Sequence, residues 1–350
     1  MKNLFSLFFL LVLMASCSKE DSATSDTPDP TIAPVPSSIG IVGDSGDFKG
    51  NNTIPGIVLM GGSTDVDAAM QWMIARAGGG DFVIIRASGS TGYNQYLYDF
   101  GGLNSVETLL INSRTLAENE KVAEQIKNAE ALFIAGGDQK KYVDYWKDTK
   151  LEEAINYLIN EKGAPVGGTS AGCAILGEIV FDAKEGTIYT DEALQNPYDR
   201  RLSLLRSGFL QSDFLQGVVT DTHYSQRERQ GRHVAFLARI AKDWQVLAKG
   251  IGVDEKTAVC INEQGMATVM GQNNAYFLMQ ANAGNIPENC KSGEPLTWNH
   301  DGTAVKTYVV KGNNAGNGAF NLKDWESANH TAGAYENYSV VNGVLIRKAL

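Results

Sequence analysis

Residues 163–178 read GAPVGGTSAGCAILGE, and at their centre Ser170 stands between two glycines in the pattern G-x-S-x-G. With an apolar run on each side, this pattern predicts a strand that turns sharply into a helix, with the serine at the apex. Small flanking residues let the backbone take the strained turn and pack closely against its neighbours. Such a turn presents the serine oxygen at a sheet edge, beside backbone N–H groups at the helix start. The N–H of Ala171 is one that a developing oxyanion would meet. Cys173, three residues on, is carried about one turn into the helix and away from the apex. No cation beside it in sequence favours a thiolate, so it reads as a small buried hydrophobe.

From residue 56 onward, apolar runs alternate with helical patterns. PGIVLMGGS precedes TDVDAAMQWMIARAGGG, ALFIAGGDQ precedes KKYVDYWKDTKLEEAINYLINEKG, and GVVTDTHYS precedes RERQGRHVAFLARIAKD. This alternation predicts βαβ units and an α/β fold: a three-layer sandwich around a mostly parallel central sheet. Ligands of such sheets bind at the carboxyl ends of the strands, where residues 136–139, Ser170 and His223 all fall. The main domain is expected over 39–285. Residues 286–350 are polar and rich in Gly and Asn, with strand-like pieces such as AVKTYVV and YSVVNGVLI, and read as a β-rich C-terminal extension.

The first 17 residues, MKNLFSLFFLLVLMASC, carry one Lys and then an apolar run too short to span a membrane. They fit a secretory leader, and Ala15, Ser16 and Cys17 resemble a bacterial lipobox, with cleavage before a Cys17 that becomes lipidated. Residues 18–38 are rich in Ser, Thr, Asp and Pro, and read as a flexible tether. The expectation is an outer-membrane lipoprotein, facing the periplasm or the cell surface and held through its N-terminal lipid only. A net charge of −10 excludes a general nucleic-acid binder. A homodimer is left open.

A serine nucleophile needs a base. Of His223, His233, His300 and His330, only His223 ends an apolar strand and so faces the same rim as Ser170. With neither an H-E-x-x-H nor a CxxC pair present, no metal site is expected, and no organic cofactor. The third group should be a carboxylate that orients the histidine. Between Ser170 and His223 the candidates are Glu178, Asp182, Glu185, Asp191 and Glu192, while Asp221 shares a strand face with His223. Glu192, which ends a polar loop, is favoured, with Glu185 in reserve. In AGGDQ, Gly137 offers a second N–H to an oxyanion, Gln139 a substrate contact, and Asp138 a helix N-cap. Arg227, Arg229 and Arg232 crowd a helix start, where cations oppose the macrodipole at a few tenths to about 1 kcal/mol each. Beside the base of an acidic protein, they point to an anionic substrate. A solvated helix face partnered by Glu228 is the plainer alternative.

The pieces FIAGGDQ, GGTSAGCAILG and DTHYSQRERQGR, in this order and spacing, resemble the S51 serine peptidase family, which includes the cyanophycinases. The resemblance covers about residues 40–280. It implies a class I glutamine-amidotransferase-like α/β sandwich that hydrolyses peptide bonds next to aspartyl residues, and in cyanophycinases the β-linked Asp-Arg polymer. It implies Ser170 as nucleophile, His223 as base, Glu192 as the acid and Gln139 as a substrate contact. Asp221, Arg227, Arg229 and Arg232 match the family's pocket residues. Thr222 departs from the pattern, since cyanophycin cleavers usually carry Gln there. Two other readings share these residues: an α-aspartyl dipeptidase, and a surface binding lipoprotein that would have no use for a nucleophile at an elbow.

Overall fold

The structure is a computed structural model that describes residues 35–350, apart from 51, 207 and 208. The leader, Cys17 and the tether up to residue 34 therefore lie outside the described residues. The first six strands are β1 (Ser38–Gly43), β2 (Gly56–Met60), β3 (Asp81–Arg86), β4 (Ser105–Leu110), β5 (Ala131–Ile134) and β6 (Pro165–Thr169). They lie in the order β1-β4-β3-β5-β6-β2, parallel throughout except for β1 at the edge. Every residue of β2, β5 and β6 is buried, as continuous apolar runs between two covered faces require.

The next four strands start a second sheet. They are β7 (Ile179–Phe181), β8 (Leu204–Arg206), β9 (Val218–Asp221) and β10 (Lys249–Val253), with β10 and β7 parallel to β9. The chain then crosses back. β11 (Thr257–Asn262) pairs antiparallel with β2, and β12 (Met266–Gly271) follows it in the first sheet. β13 (Asn274–Gln280) and β14 (Val305–Lys311) extend the second sheet beyond β10. β15 (Asn317–Asn321) joins β12, while β16 (Gly333–Val341) and β17 (Val344–Ala349) complete the second sheet. The C-terminal segment is β-rich, and its strands lengthen both sheets.

The expected α/β architecture with mostly parallel central strands is present. What the sequence did not reveal is the division of the strands into a nine-stranded and an eight-stranded sheet. One face of the first sheet, with Leu59, Ile85 and Leu132, packs on Ile126, Trp146 and Ile155 of three helices and on Ile251 and Phe277 of the second sheet. Its other face, with Met60, Phe82 and Phe133, packs on Met70 and Met73 of the helix Asp67–Arg76. The outer face of the second sheet, with Val219 and Leu278, is covered by Val234, Phe236 and Leu237 of the helix Gln230–Arg239.

Candidate active site

The carboxyl ends of β2, β5 and β6 in one sheet meet those of β9 and β10 in the other. After Thr169 the backbone of Ser170 takes φ 52° and ψ −116°, and a single helical turn, Ala171–Ala174, follows. A non-glycine residue in this region is strained and persists only where its surroundings over-determine it. Two features hold it here. The Ser170 N–H donates to Met60 O at 3.1 Å. A Cβ on Gly172 would sit 2.1 Å from Ile134 O, so only glycine lets the turn close on β5. The helix that follows is a single turn, and the Ala171 N–H at its start has no helical carbonyl four residues back to accept it.

Ser170 Oγ lies 2.8 Å from His223 Nε2. His223 follows β9 at φ 47°, and its N–H donates to Gly61 O at 2.8 Å. One short segment, residues 60–62, thus holds the backbones of both Ser170 and His223. Gly62, at φ 100°, passes so close that a Cβ would sit 2.5 Å from His223 Cε1 and 3.1 Å from Ser170 Cβ.

The other ring nitrogen of His223, Nδ1, lies 2.7 Å from Glu255 Oε1. Nδ1–H donating to a carboxylate fixes the tautomer, leaving Nε2 to accept from the Ser170 hydroxyl. Burial pulls the His223 pKa below its ordinary value of 6.5; Glu255 pushes it up, and the charges of Arg227 and Arg229 push it down. The imidazole is therefore neutral near neutral pH and free to take a proton.

Glu192 is not the acid on His223. Its carboxylate accepts from Tyr189 N–H at 3.0 Å and pairs with Arg201 at 2.9 Å, closing a helix start instead. Glu185, the reserve, pairs with Arg200. The acid beside His223 comes after it in the chain, on the turn where β10 leaves the second sheet for β11 in the first. A signal was present: GIGVDEK ends a strand with two acids, the same placement that singled out Ser170 and His223.

Asp221, expected in the substrate pocket, is instead an anchor beneath it. It is 2% exposed, and its two oxygens accept from Arg232 Nε at 2.8 Å and Nη2 at 2.6 Å. Burial alone would raise its pKa, but the charges of Arg232 and Arg229 outweigh burial and hold it at about 2. Arg232 Nη1 donates to Thr187 Oγ1 at 3.2 Å and to Ile188 O at 3.1 Å. Arg229 uses one Nη on Asp221 and on Thr222 O. Burial and the neighbouring arginines lower its pKa to about 10.

These arginines line a cavity of about 590 Å³ together with Gly137, Gln139, Phe181 and Tyr189. Gln139 also donates to Phe181 O at 3.3 Å. The cavity adjoins Ser170 through the glycine pair at the end of β5, because a Cβ on Gly136 would lie 3.5 Å from Ser170 Cβ. Arg227 is exposed at its wall and makes no ion pair among the described residues. Of the expected residues, Gly137, Gln139, Arg227, Arg229 and Arg232 line the cavity, and Ser170 lies beside the glycine pair at its edge. Cys173 is fully buried, and burial pushes its thiol pKa well above the ordinary range. Cys260 and Cys290 are both free and buried in separate clusters. Among the described residues, no group of three or more His, Cys, Asp or Glu side chains is placed to hold a metal ion.

The family model of peptidase family S51 matches residues 86–269, the span that carries Ser170, His223 and Glu255. The cyanophycinase of Synechococcus elongatus is 28% identical over 227 residues, covering 62% of this chain and 65% of that protein. The cyanophycinase of Trichormus variabilis is 26% identical over 202 residues, covering 57% of this chain and 62% of that protein. This chain thus spans a little under two thirds of the length of these curated relatives. A crystal structure of a peptidase from an acI-B1 Actinobacterium has a TM-score of 0.48 at 18% identity, covering 65% of this chain and 91% of that one.

Proposed function

This chain belongs to peptidase family S51, and we propose that it is a serine-type peptidase that hydrolyses cyanophycin or related aspartyl peptides, releasing β-Asp-Arg dipeptides. The observation that carries this reading is the pair of hydrogen bonds through His223, 2.8 Å to Ser170 and 2.7 Å to Glu255, with the serine on a strained turn. Ser170 Oγ attacks the scissile carbonyl carbon while His223 Nε2 takes its proton and Glu255 stabilises the imidazolium that forms. The carbonyl oxygen, now an oxyanion, is met by the N–H groups of Ala171 and Gly137. His223 returns the proton to the leaving amine, and a water activated by the same ring then releases the acyl group from Ser170.

Arg227 and the free face of Arg229 hold a substrate carboxylate in the cavity next to Ser170, with Gln139 opposite. The reading as an α-aspartyl dipeptidase draws on Thr222, whose carbonyl and hydroxyl are turned to Arg229. In both readings the protein is a lipoprotein tethered through Cys17 to the outer membrane.

Incubation with the β-Asp-Arg polymer and, separately, with α-aspartyl dipeptides tests the proposal. Release of β-Asp-Arg by the wild type but not by Ser170→Ala is expected. Cleavage of the α-dipeptides alone would move the assignment to the dipeptidase, and turnover by Ser170→Ala at the wild-type rate would end the serine mechanism.

A further inference from the structure

His223 and Glu255 sit on two separate turns, one after β9 and one between β10 and β11. Three successive residues of the first turn meet three successive residues of the second. Tyr224 N–H donates to Val253 O at 3.2 Å. Ser225 N–H donates to Asp254 Oδ1 at 2.7 Å. The third bond runs in the opposite direction: Glu255 N–H donates to the side-chain Oε1 of Gln226 at 2.9 Å. Each turn thus lends one side chain to the other's backbone. Asp254, 1% exposed, carries the buried half, and its second oxygen accepts from Asn274 N–H at 3.1 Å. Gln226 carries the exposed half. On the far side of the Glu255 turn, Asn273 Nδ2 donates to Glu255 O at 2.9 Å.

We propose that Gln226 is a positioning residue for the reaction, which holds the Glu255 turn at hydrogen-bonding distance from His223, with Asp254 as the buried anchor of the same clasp. The inference rests on the serine-peptidase reading above only for its kinetic consequences. Gln226 does not itself line the cavity, and its side-chain oxygen is taken by the Glu255 N–H, so a role in binding substrate does not account for its contact. The Glu255 N–H is the one donor in its turn that needs a side chain from the histidine's turn. A misplacement of even one ångström in such a supporting contact loosens the geometry on which proton transfer depends.

The charged and titratable groups acting on His223 are Glu255 from the turn after β10 and Arg227 and Arg229 from its own segment. Of these, Glu255 raises the histidine's affinity for protons, while the arginines and burial lower it. Loosening the Glu255 turn therefore leaves burial and the two arginines unopposed.

The test uses Gln226→Met, which keeps the length and removes the acceptor, and Gln226→Glu, which restores an acceptor oxygen. Both substitutions lie at an exposed position of the full chain. Two readouts are taken: kcat and KM on an aspartyl peptide, and the titration midpoint of the His223 ring followed by nitrogen NMR, assigned by its loss in His223→Gln. Gln226→Met should lower kcat roughly three- to tenfold, the worth of one hydrogen bond, leave KM within about twofold, and lower the His223 midpoint. Gln226→Glu should restore both towards the wild type. An unchanged midpoint in Gln226→Met overturns the proposal, whether or not kcat falls, because a merely structural loss would lower activity without moving that midpoint. The NMR readout needs no substrate, so it decides the matter even if the chain cleaves none of the peptides offered, an outcome that would count against the peptidase reading instead.

Discussion

Glu255 Oε1 lies 2.7 Å from His223 Nδ1, and Glu255 stands on the segment where the chain passes from one sheet to the other. The carboxylate orients the ring and stabilises its charged form during turnover. Glu255→Gln should therefore lower kcat by roughly 10²- to 10⁴-fold with little change in KM. Glu192→Gln, which disturbs only a helix start and the pair with Arg201, should leave kcat within about twofold. Steady-state kinetics of the two variants side by side distinguish the two acids.

The acid limb of kcat/KM should report the proton on His223. Its folded pKa lies below 6.5, chiefly through burial. The neutral base is fully present above that value, and activity is lost as pH falls through the depressed pKa. Glu255→Gln removes a group that raises the pKa and should move the limb to lower pH. Arg227→Ala removes one that lowers it and should move the limb to higher pH. A pH–rate profile of the three proteins checks the two opposite directions.

Arg227 and Arg232 should fail in different ways. Arg227 is exposed at the cavity wall without an ion-pair partner among the described residues, so Arg227→Ala should raise KM roughly tenfold for peptides with a free carboxylate. Folding should be unaffected. Arg232→Ala would leave Asp221 buried and poorly compensated, at a cost of about 3–5 kcal/mol. Urea unfolding and KM measured on both variants check the contrast.

His233 should make the fold acid-sensitive. It is fully buried, with Nε2 facing Val219 O at 3.2 Å and Nδ1 facing the Tyr224 hydroxyl at 3.1 Å. Burial lowers its pKa from 6.5 to about 4. The unfolded chain therefore takes up this proton first. Stability is complete above about 6.5 and is lost as pH falls, by about 3 kcal/mol at pH 4. His233→Gln, which can offer one donor and one acceptor at similar positions, should flatten the slope of unfolding free energy between pH 6.5 and 5.

Much of this site was legible in the sequence because each feature was local. The turn around Ser170 needs only small residues between apolar runs, and His223 needs only to end a strand. What escaped depends on pairing at a distance. The apolar runs of β9 and β10 look like those of β2 and β5, and nothing in them shows that they build a second sheet. Glu255 follows His223 in the chain, outside the stretch between the serine and the histidine, and only the parallel pairing of β10 with β9 brings the end of GIGVDEK to the same rim. The arginines read as one binding cluster, yet the bidentate Asp221–Arg232 pair joins a strand end to a helix 11 residues on and takes Arg232 out of service as a free cation.

The central claim is that Ser170 is a nucleophile activated by His223. Intact-protein mass spectrometry after treatment with a serine-reactive phosphonate tests it most directly. A single adduct that maps to Ser170 in the wild type, absent from Ser170→Ala and from His223→Ala, is the predicted result. Labelling of Ser170→Ala to the same extent, or of His223→Ala at the wild-type rate, would contradict it.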